Sequence, residues 1–236
     1  MGIVTIAGSL GSGARDVALL VASRLGMDFV DREILVEASQ TLGVDIEAVE
    51  RRDERPLTFG ERLAALMRNF LERSATASAG DPMMGSSGLE MLLAHSYGEA
   101  AALPAEGEGV LDERKYIATI SAIILDLAEK GSVVVVGRGS QIILRDWPGA
   151  LHAYVAAPLD LRIERIAARD GLSSEDATKA VQESDKSRHA FYRKFFKVNV
   201  DDPSLYDLVV NTARLPYAAA ADLIAAAARS KGPPPG

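Results

Sequence analysis

The chain of 236 residues has no cysteine, only three histidines and one tryptophan. Without cysteine, disulfides, thiolate nucleophiles and cysteine-ligated metals are excluded. His95, His152 and His189 are scattered and show no metal-ligand spacing, so a structural zinc site is not expected. No apolar run approaches the roughly 20 residues of a membrane span. Excess positive charge is also missing. Lys and Arg number 26 against 33 Asp and Glu, a net charge of −7. That balance argues against broad binding to nucleic acid or anionic membranes. No basic segment precedes the first apolar run, so no secretory leader is expected and a cytoplasmic location is the default.

What is present begins at the first residues. Ile3-Val4-Thr5-Ile6-Ala7 reads as a strand, and Gly8-Ser9-Leu10-Gly11-Ser12-Gly13 as a glycine-rich loop. Apolar residues at Val17, Leu20, Val21 and Leu25 then follow a helical period, which Gly26 ends. Strand, glycine loop and helix together wrap backbone N–H groups around a phosphate and aim a helix N-terminus at it. The pattern G-x-x-x-x-G-K-[ST] is met at Gly8 and Gly13, but Ala14 stands where it requires lysine. Arg15 is the first candidate for the missing cation. A glycine-rich turn without any phosphate is the other reading of the loop taken alone.

At this length, and with 48% apolar residues, one domain over 1–230 is expected. Further strands are expected at 28–30, 132–137, 152–157 and 206–211. Helices are expected at 31–42, 45–52, from Thr58 to about Leu71, and at 112–130. Pro158 opens another, carrying Arg162, Arg165 and Arg169. Ser173 caps the next, which runs to Phe196, and the last spans 216–229. Segment 74–108 is dominated by Ala, Gly, Ser and Met and reads as a flexible insertion, either a mobile closing segment or a loop without chemistry. Residues 231–236 read as a disordered tail. Alternating strands and helices imply an α/β fold: a five-stranded parallel sheet with helices on both faces.

Ligands of such sheets sit beyond the C-terminal strand ends. The first strand ends at the glycine loop, the second at Asp31 and Arg32, the third at Arg138 between Gly137 and Gly139, and the fifth at Asn211 and Thr212. Arginine grips phosphate with a planar fork and stays charged, which suits phosphoryl chemistry. Arg138 and Arg32 are candidates, with surface ion pairing as the alternative for each. The segment from Asp185 to Lys197 is the one strongly basic patch, with aromatics interleaved. It reads as a solvated helix face, as a nucleic-acid contact, or as a helical lid over about 173–200 that brings Arg188 and Arg193 to a polyphosphate.

Five motifs in order resemble the cytidylate kinase-like family: Gly8 to Asp16, Phe29 to Leu35, Val136-Gly137-Arg138-Gly139, Asp185-Lys186-Ser187-Arg188, and Tyr206 to Thr212. The resemblance implies a P-loop kinase fold, ATP as donor, a nucleoside monophosphate such as CMP or dCMP as acceptor, and Mg²⁺ between the phosphates. In that frame the loop, Gly8 through Asp16, together with Asn211 and Thr212, would hold the donor, with Arg15 as its cation. Asp31, Arg32, Arg138, Asp185 and Arg188 would hold the acceptor. Arg15, Arg138, Arg188 and Arg193 would stabilise the transfer, and Asp16 would bind the metal. The chain departs from the family in its loop, where Ala14, Arg15 and Asp16 replace lysine, glycine and threonine. It departs again at Gly139, where the family has aspartate. Two alternatives stand beside the kinase: a non-catalytic nucleotide-binding or regulatory module, and an RNA-binding protein using the basic segment. Nucleotides are the expected partners, and neither nucleic acid nor a membrane is expected as one. Limited proteolysis should cut first within 74–108, because Gly, Ser and Ala bury little surface there; first cleavage elsewhere would contradict that reading.

Overall fold

A computed structural model of the protein describes residues 2–31 and 109–231. Arg32, the helices expected between 32 and 71, the 74–108 insertion and residues 232–236 lie outside the described residues. The chain divides into two compact units, Met1–Arg32 with Ile124–Gly236, and Glu33–Ile123. The site below belongs to the first.

The described elements are β1 (Ile3–Gly8), α1 (Ala14–Leu25), β2 (Asp28–Val30), α2 (Gly109–Lys130), β3 (Val133–Val136), α3 (Ser140–Ile143), β4 (Leu151–Ala156), α4 (Leu159–Asp170), α5 (Ser174–Phe196), a 3₁₀ turn (Pro203–Leu205), β5 (Leu208–Asn211) and α6 (Tyr217–Lys231). Five parallel strands form one sheet in the order β2-β3-β1-β4-β5. This is the expected α/β class. The valine strand β3 is interior, and β1 is the centre. Lys231, expected in the tail, closes α6 instead. The last strand starts two residues late, because Asp202 caps a 3₁₀ turn that holds the chain up to Tyr206.

Local signals account for the boundaries. Gly26 takes φ 61° and its N–H turns back to the carbonyls of Ala22 and Ser23, ending α1. Ser173 accepts the N–H of Asp176 and so starts α5. Alternation along the strands sends Val4, Ile6, Val134, Leu151, Ala153, Val155 and Val210 to one face. There they meet Val17, Ala18, Val21 and Ala22 of α1 and Ala220, Ala221, Ile224 and Ala225 of α6. Small side chains on both helices let them pack closely on each other and on the sheet.

The order of strands sets the position of the site. From β1 the chain goes first to the β3 side of the sheet and later to the β4 side. The crevice at the C-terminal end of β1, between β3 and β4, is therefore the topological switch point where open α/β sheets take ligands.

On the opposite sheet face Thr5 and His152 are register partners, and Thr5 Oγ1 lies 2.8 Å from His152 Nδ1. His152 is 7% exposed. Its backbone N–H donates to Asp207 Oδ2 (2.8 Å), which also holds Lys231 Nζ (2.7 Å). Burial lowers the His152 pKa; Asp207 opposes the shift and Lys231 adds to it. A depressed histidine binds its proton less readily folded than unfolded, so its contribution to stability is complete above about pH 6.5 and falls as the pH drops below that value. Melting temperature should fall between pH 7.5 and 5.5, and His152→Asn, which keeps an acceptor near Thr5 without titrating, should reduce that fall. An unchanged pH slope in the variant would refute the assignment.

Candidate functional site

The loop after β1 is shaped by two glycines in the left-handed region, Gly11 (φ 80°) and Gly13 (φ 81°). Space demands them as well. A Cβ on Gly11 would lie 2.6 Å from the Arg162 carbonyl oxygen, and one on Gly13 2.5 Å from the Tyr217 ring. The Ser12 N–H closes a turn onto the Ser9 carbonyl (3.0 Å). Gly13 begins α1, and no side chain caps that helix. Its first N–H groups are thus left to a ligand or solvent, and the helix dipole favours an anion there. The Ser12 side chain is fully buried and, among the described residues, its Oγ has no hydrogen-bond partner. A buried hydroxyl without a partner is costly, and a phosphate oxygen would supply one.

The loop carbonyls are held from outside. Arg162 Nη1 donates to Leu10 O (3.2 Å) and Arg165 Nη1 to Gly11 O (3.3 Å). Thr212 Oγ1 donates to Ser12 O (2.8 Å). Arg165 also donates to Thr212 Oγ1 (2.9 Å) and Thr212 O (3.0 Å), and its guanidinium lies 5.2 Å from the Tyr217 ring centroid. With those carbonyls pinned outward, the Gly11 and Gly13 N–H groups that follow Leu10 and Ser12 are turned the opposite way, while the Ser12 N–H is used in its own turn. Leu10 adds an apolar anchor, packing against Ile166 of α4 and Ala177 and Val181 of α5.

The expected site residues have distinct fates. Gly8 through Gly13 and Ala14 form the loop and the start of α1, and Ala14 is buried. Arg15 Nε pairs with Asp31 Oδ2 at 3.0 Å, and its guanidinium lies 5.7 Å from the Phe29 ring. That places Arg15, the candidate for the missing cation, at the end of β2 beside Asp31 and Phe29. Asp16 is exposed in the first turn of α1. Asn211 accepts the Ala213 N–H (2.9 Å) within its own turn. Thr212, expected to meet the donor, is instead a buried clamp on the loop.

Arg138 has φ 53° between Gly137 (74°) and Gly139 (76°), three successive left-handed residues at the end of β3. A non-glycine residue in this region is strained by order 1–3 kcal/mol, and such strain concentrates at functional sites. The Arg138 guanidinium lies 5.8 Å from the Phe191 ring of α5. Asp185 forms a two-pronged pair with Arg162, Oδ1 to Nη1 at 2.9 Å and Oδ2 to Nη2 at 2.7 Å. Arg188 Nη1 reaches Asp201 Oδ1 (2.9 Å) and Ser9 Oγ (3.5 Å). Arg193 is exposed and, with His189, Lys197, Val198, Asn199 and Val200, lines a cavity of about 340 Å³. Tyr192, 4% exposed, receives the Gly139 N–H and the Gln141 side-chain N–H, both at 3.2 Å, and so ties α5 to the Arg138 turn.

Sequence alone does not mark the two arginines that hold the loop carbonyls. Arg162 and Arg165, three apart on α4, share one helix face, and that spacing is the signal that could have selected them. Tyr154 and Asp201 carry no such signal. Among the described residues no group of three acidic, histidine or cysteine side chains could hold a metal, and no helix is long and apolar enough to cross a membrane.

Comparison with known proteins accords with this geometry. The family model described as the cytidylate kinase-like family matches residues 3–214. A cytidylate kinase of Methanopyrus kandleri is 36% identical over 97 residues, 38% of this chain and 50% of its own length. One of Natronomonas pharaonis is 41% identical over 76 residues, 30% of this chain and 40% of its own. The chain thus spans about half the length of the curated relatives it matches. An uncharacterized protein from Eubacterium ventriosum ATCC 27560 has the same fold, with TM-score 0.62 at 18% identity over 98% of this chain and 99% of that one. The chain belongs to the cytidylate kinase-like family.

The Arg162–Asp185 pair generates a prediction. Arg162 is nearly buried, with 9% of its side chain exposed against 23% for Asp185. Asp185→Ala strands that cation and should destabilise the protein by about 2–4 kcal/mol. Denaturant unfolding checks this, and a loss under about 0.5 kcal/mol would place the pair among ordinary surface salt bridges.

Proposed function

We propose that this member of the cytidylate kinase-like family transfers the terminal phosphoryl group of ATP to a nucleoside monophosphate, with CMP or dCMP as the first candidates. The observation that carries the reading is the Gly8–Gly13 loop. Its carbonyls are clamped outward, its helix N-terminus lacks a side-chain cap, and its buried Ser12 hydroxyl lacks a partner among the described residues. Donor phosphates fit that cradle. The strained Arg138 turn and the Arg188 guanidinium, on the two flanks of β1, supply charge for acceptor and transferring oxygens. Arg193 is proposed to join them as the lid segment closes. A phosphate oxygen of the monophosphate attacks the terminal phosphorus, the bond to the ADP oxygen breaks, and ADP and a nucleoside diphosphate leave. The protein needs no covalent nucleophile; its contribution is alignment and electrostatic stabilisation.

Asp16, exposed at the start of α1, is the loop carboxylate for Mg²⁺. Mg²⁺ is commonly held by one or two carboxylates, with phosphate oxygens and water completing its shell, so Asp16 suffices without an acidic cluster. Magnesium there would neutralise charge between the phosphates. Asp31 keeps its place on the acceptor side, paired with Arg15. Arg32 completes that side in the proposal.

A second reading, nucleotide binding without turnover, is favoured by one observation: Ala14 lacks the lysine charge and Arg15 is engaged by Asp31. A coupled assay with ATP, Mg²⁺ and a panel of nucleoside monophosphates separates the two. The kinase reading expects ADP release with a pyrimidine monophosphate. It also expects Arg138→Ala to weaken monophosphate affinity by about 2–5 kcal/mol in calorimetry, and Arg15→Ala to weaken ATP more than CMP if Arg15 swings to the donor. Tight binding without turnover selects the second reading, and no binding of any nucleotide overturns both.

A further inference from the structure

The Arg188 guanidinium is more tightly specified than a lid arginine needs to be. It lies 5.3 Å from the Tyr154 ring centroid and 5.8 Å from that of Tyr192. Tyr154 OH is 3.2 Å from Ser9 Oγ at the loop and donates to Asp201 Oδ1 at 3.4 Å. Asp201 therefore closes a ring made of Ser9, Tyr154, Arg188 and itself, drawn from the loop, β4, α5 and the segment after α5. His189 Nε2 meets the other carboxylate oxygen at 2.5 Å, and the Asp201 N–H is received by Asn199 Oδ1 at 3.2 Å. The carboxylate is thus held on both oxygens and at its backbone. Partial burial works against its ionisation, but the hydrogen bonds from His189 and Arg188 outweigh this and keep its pKa below the usual range. Arg188 Nη2, in contrast, is buried and has no hydrogen-bond partner among the described residues.

We infer that Asp201 is a positioning residue: it fixes the Arg188 guanidinium beside Ser9 through Nη1 and leaves Nη2 for a phosphate oxygen of the nucleotide. The consequence for binding rests on the function proposed above; the aim of Arg188 does not. A carboxylate that merely stapled the end of α5 would stabilise the fold without acting through Arg188.

Two measurements on the full chain separate these. Side-chain ¹⁵N spectra of Arg188 report its order without any ligand. Restricted guanidinium rotation in the wild type that becomes free in Asp201→Ala supports the inference, and an unchanged Arg188 signal overturns it. Calorimetry with CMP and with ATP then reads the consequence. Asp201→Ala should lose about tenfold in affinity, the size of one charge-assisted hydrogen bond, and Asp201→Asn should lose less. Arg188→Ala should lose at least as much, and the double variant no more than Arg188→Ala alone. Additive losses in this cycle overturn the positioning role. A wild type that binds neither nucleotide overturns the proposed function, while the spectra still decide whether Asp201 aims Arg188.

Discussion

Three loop carbonyls, those of Leu10, Gly11 and Ser12, are bound by side chains from elsewhere in the chain, and the rest of the site depends on that constraint. A peptide unit points its N–H opposite to its C=O. Holding the carbonyls outward therefore directs the Gly11 and Gly13 N–H groups inward without any ligand being present. Preorganisation of this kind avoids the entropy of ordering a loop at the moment of binding. It also gives α4 a role beyond packing. Arg162 and Arg165 lie on the helix that follows β4, on the far side of the crevice, so the loop is gripped by the element opposite to it.

The arginines divide by what holds them. Arg162 joins the Leu10 carbonyl to Asp185, and Arg165 joins Gly11 to Thr212. Both are committed to protein groups. Arg15 is committed to Asp31 and sits at the end of β2. Arg138 and Arg188 lie at the crevice, each against an aromatic ring of α5 or β4, and Arg188 also pairs with Asp201. Aromatic faces hold guanidinium planes without consuming hydrogen-bond donors, so charge stays localised yet usable.

The missing lysine takes its meaning from this division. At Ala14 the chain gives up a point charge at the start of α1, and nothing else in the loop restores it. The cations that surround the loop come from α4 and α5, reached through space rather than through the motif. The position of α5 is fixed from both flanks of the crevice, by the Gly139 N–H donating to Tyr192 and by Leu10 packing against Val181.

Much of the framework was legible in the residues. Strand, glycine loop and helix at 3–25 could be read because φ > 0 at Gly11 and Gly13 and a 3.6-residue apolar period are local properties. The β2 strand, the Ser173 cap and the valine strand were legible for the same reason. The Ser12 and Arg138 positions followed from the rule that ligands meet strand ends, and Arg188 from the basic segment that runs from Asp185 to Lys197. The pairings were not legible. Arg15 with Asp31, Arg162 with Asp185, and Thr212 with the Ser12 carbonyl 200 residues away are choices among many cations and acceptors. Asp201 resembles any exposed aspartate until the fold brings Ser9, Tyr154 and Arg188 around it. Sequence by itself determined the order of elements and the chemistry available at the strand ends, since backbone conformation and periodicity are encoded within a few residues. Only the tertiary structure decided which charges pair with one another, because that choice depends on distances between residues the chain itself leaves far apart.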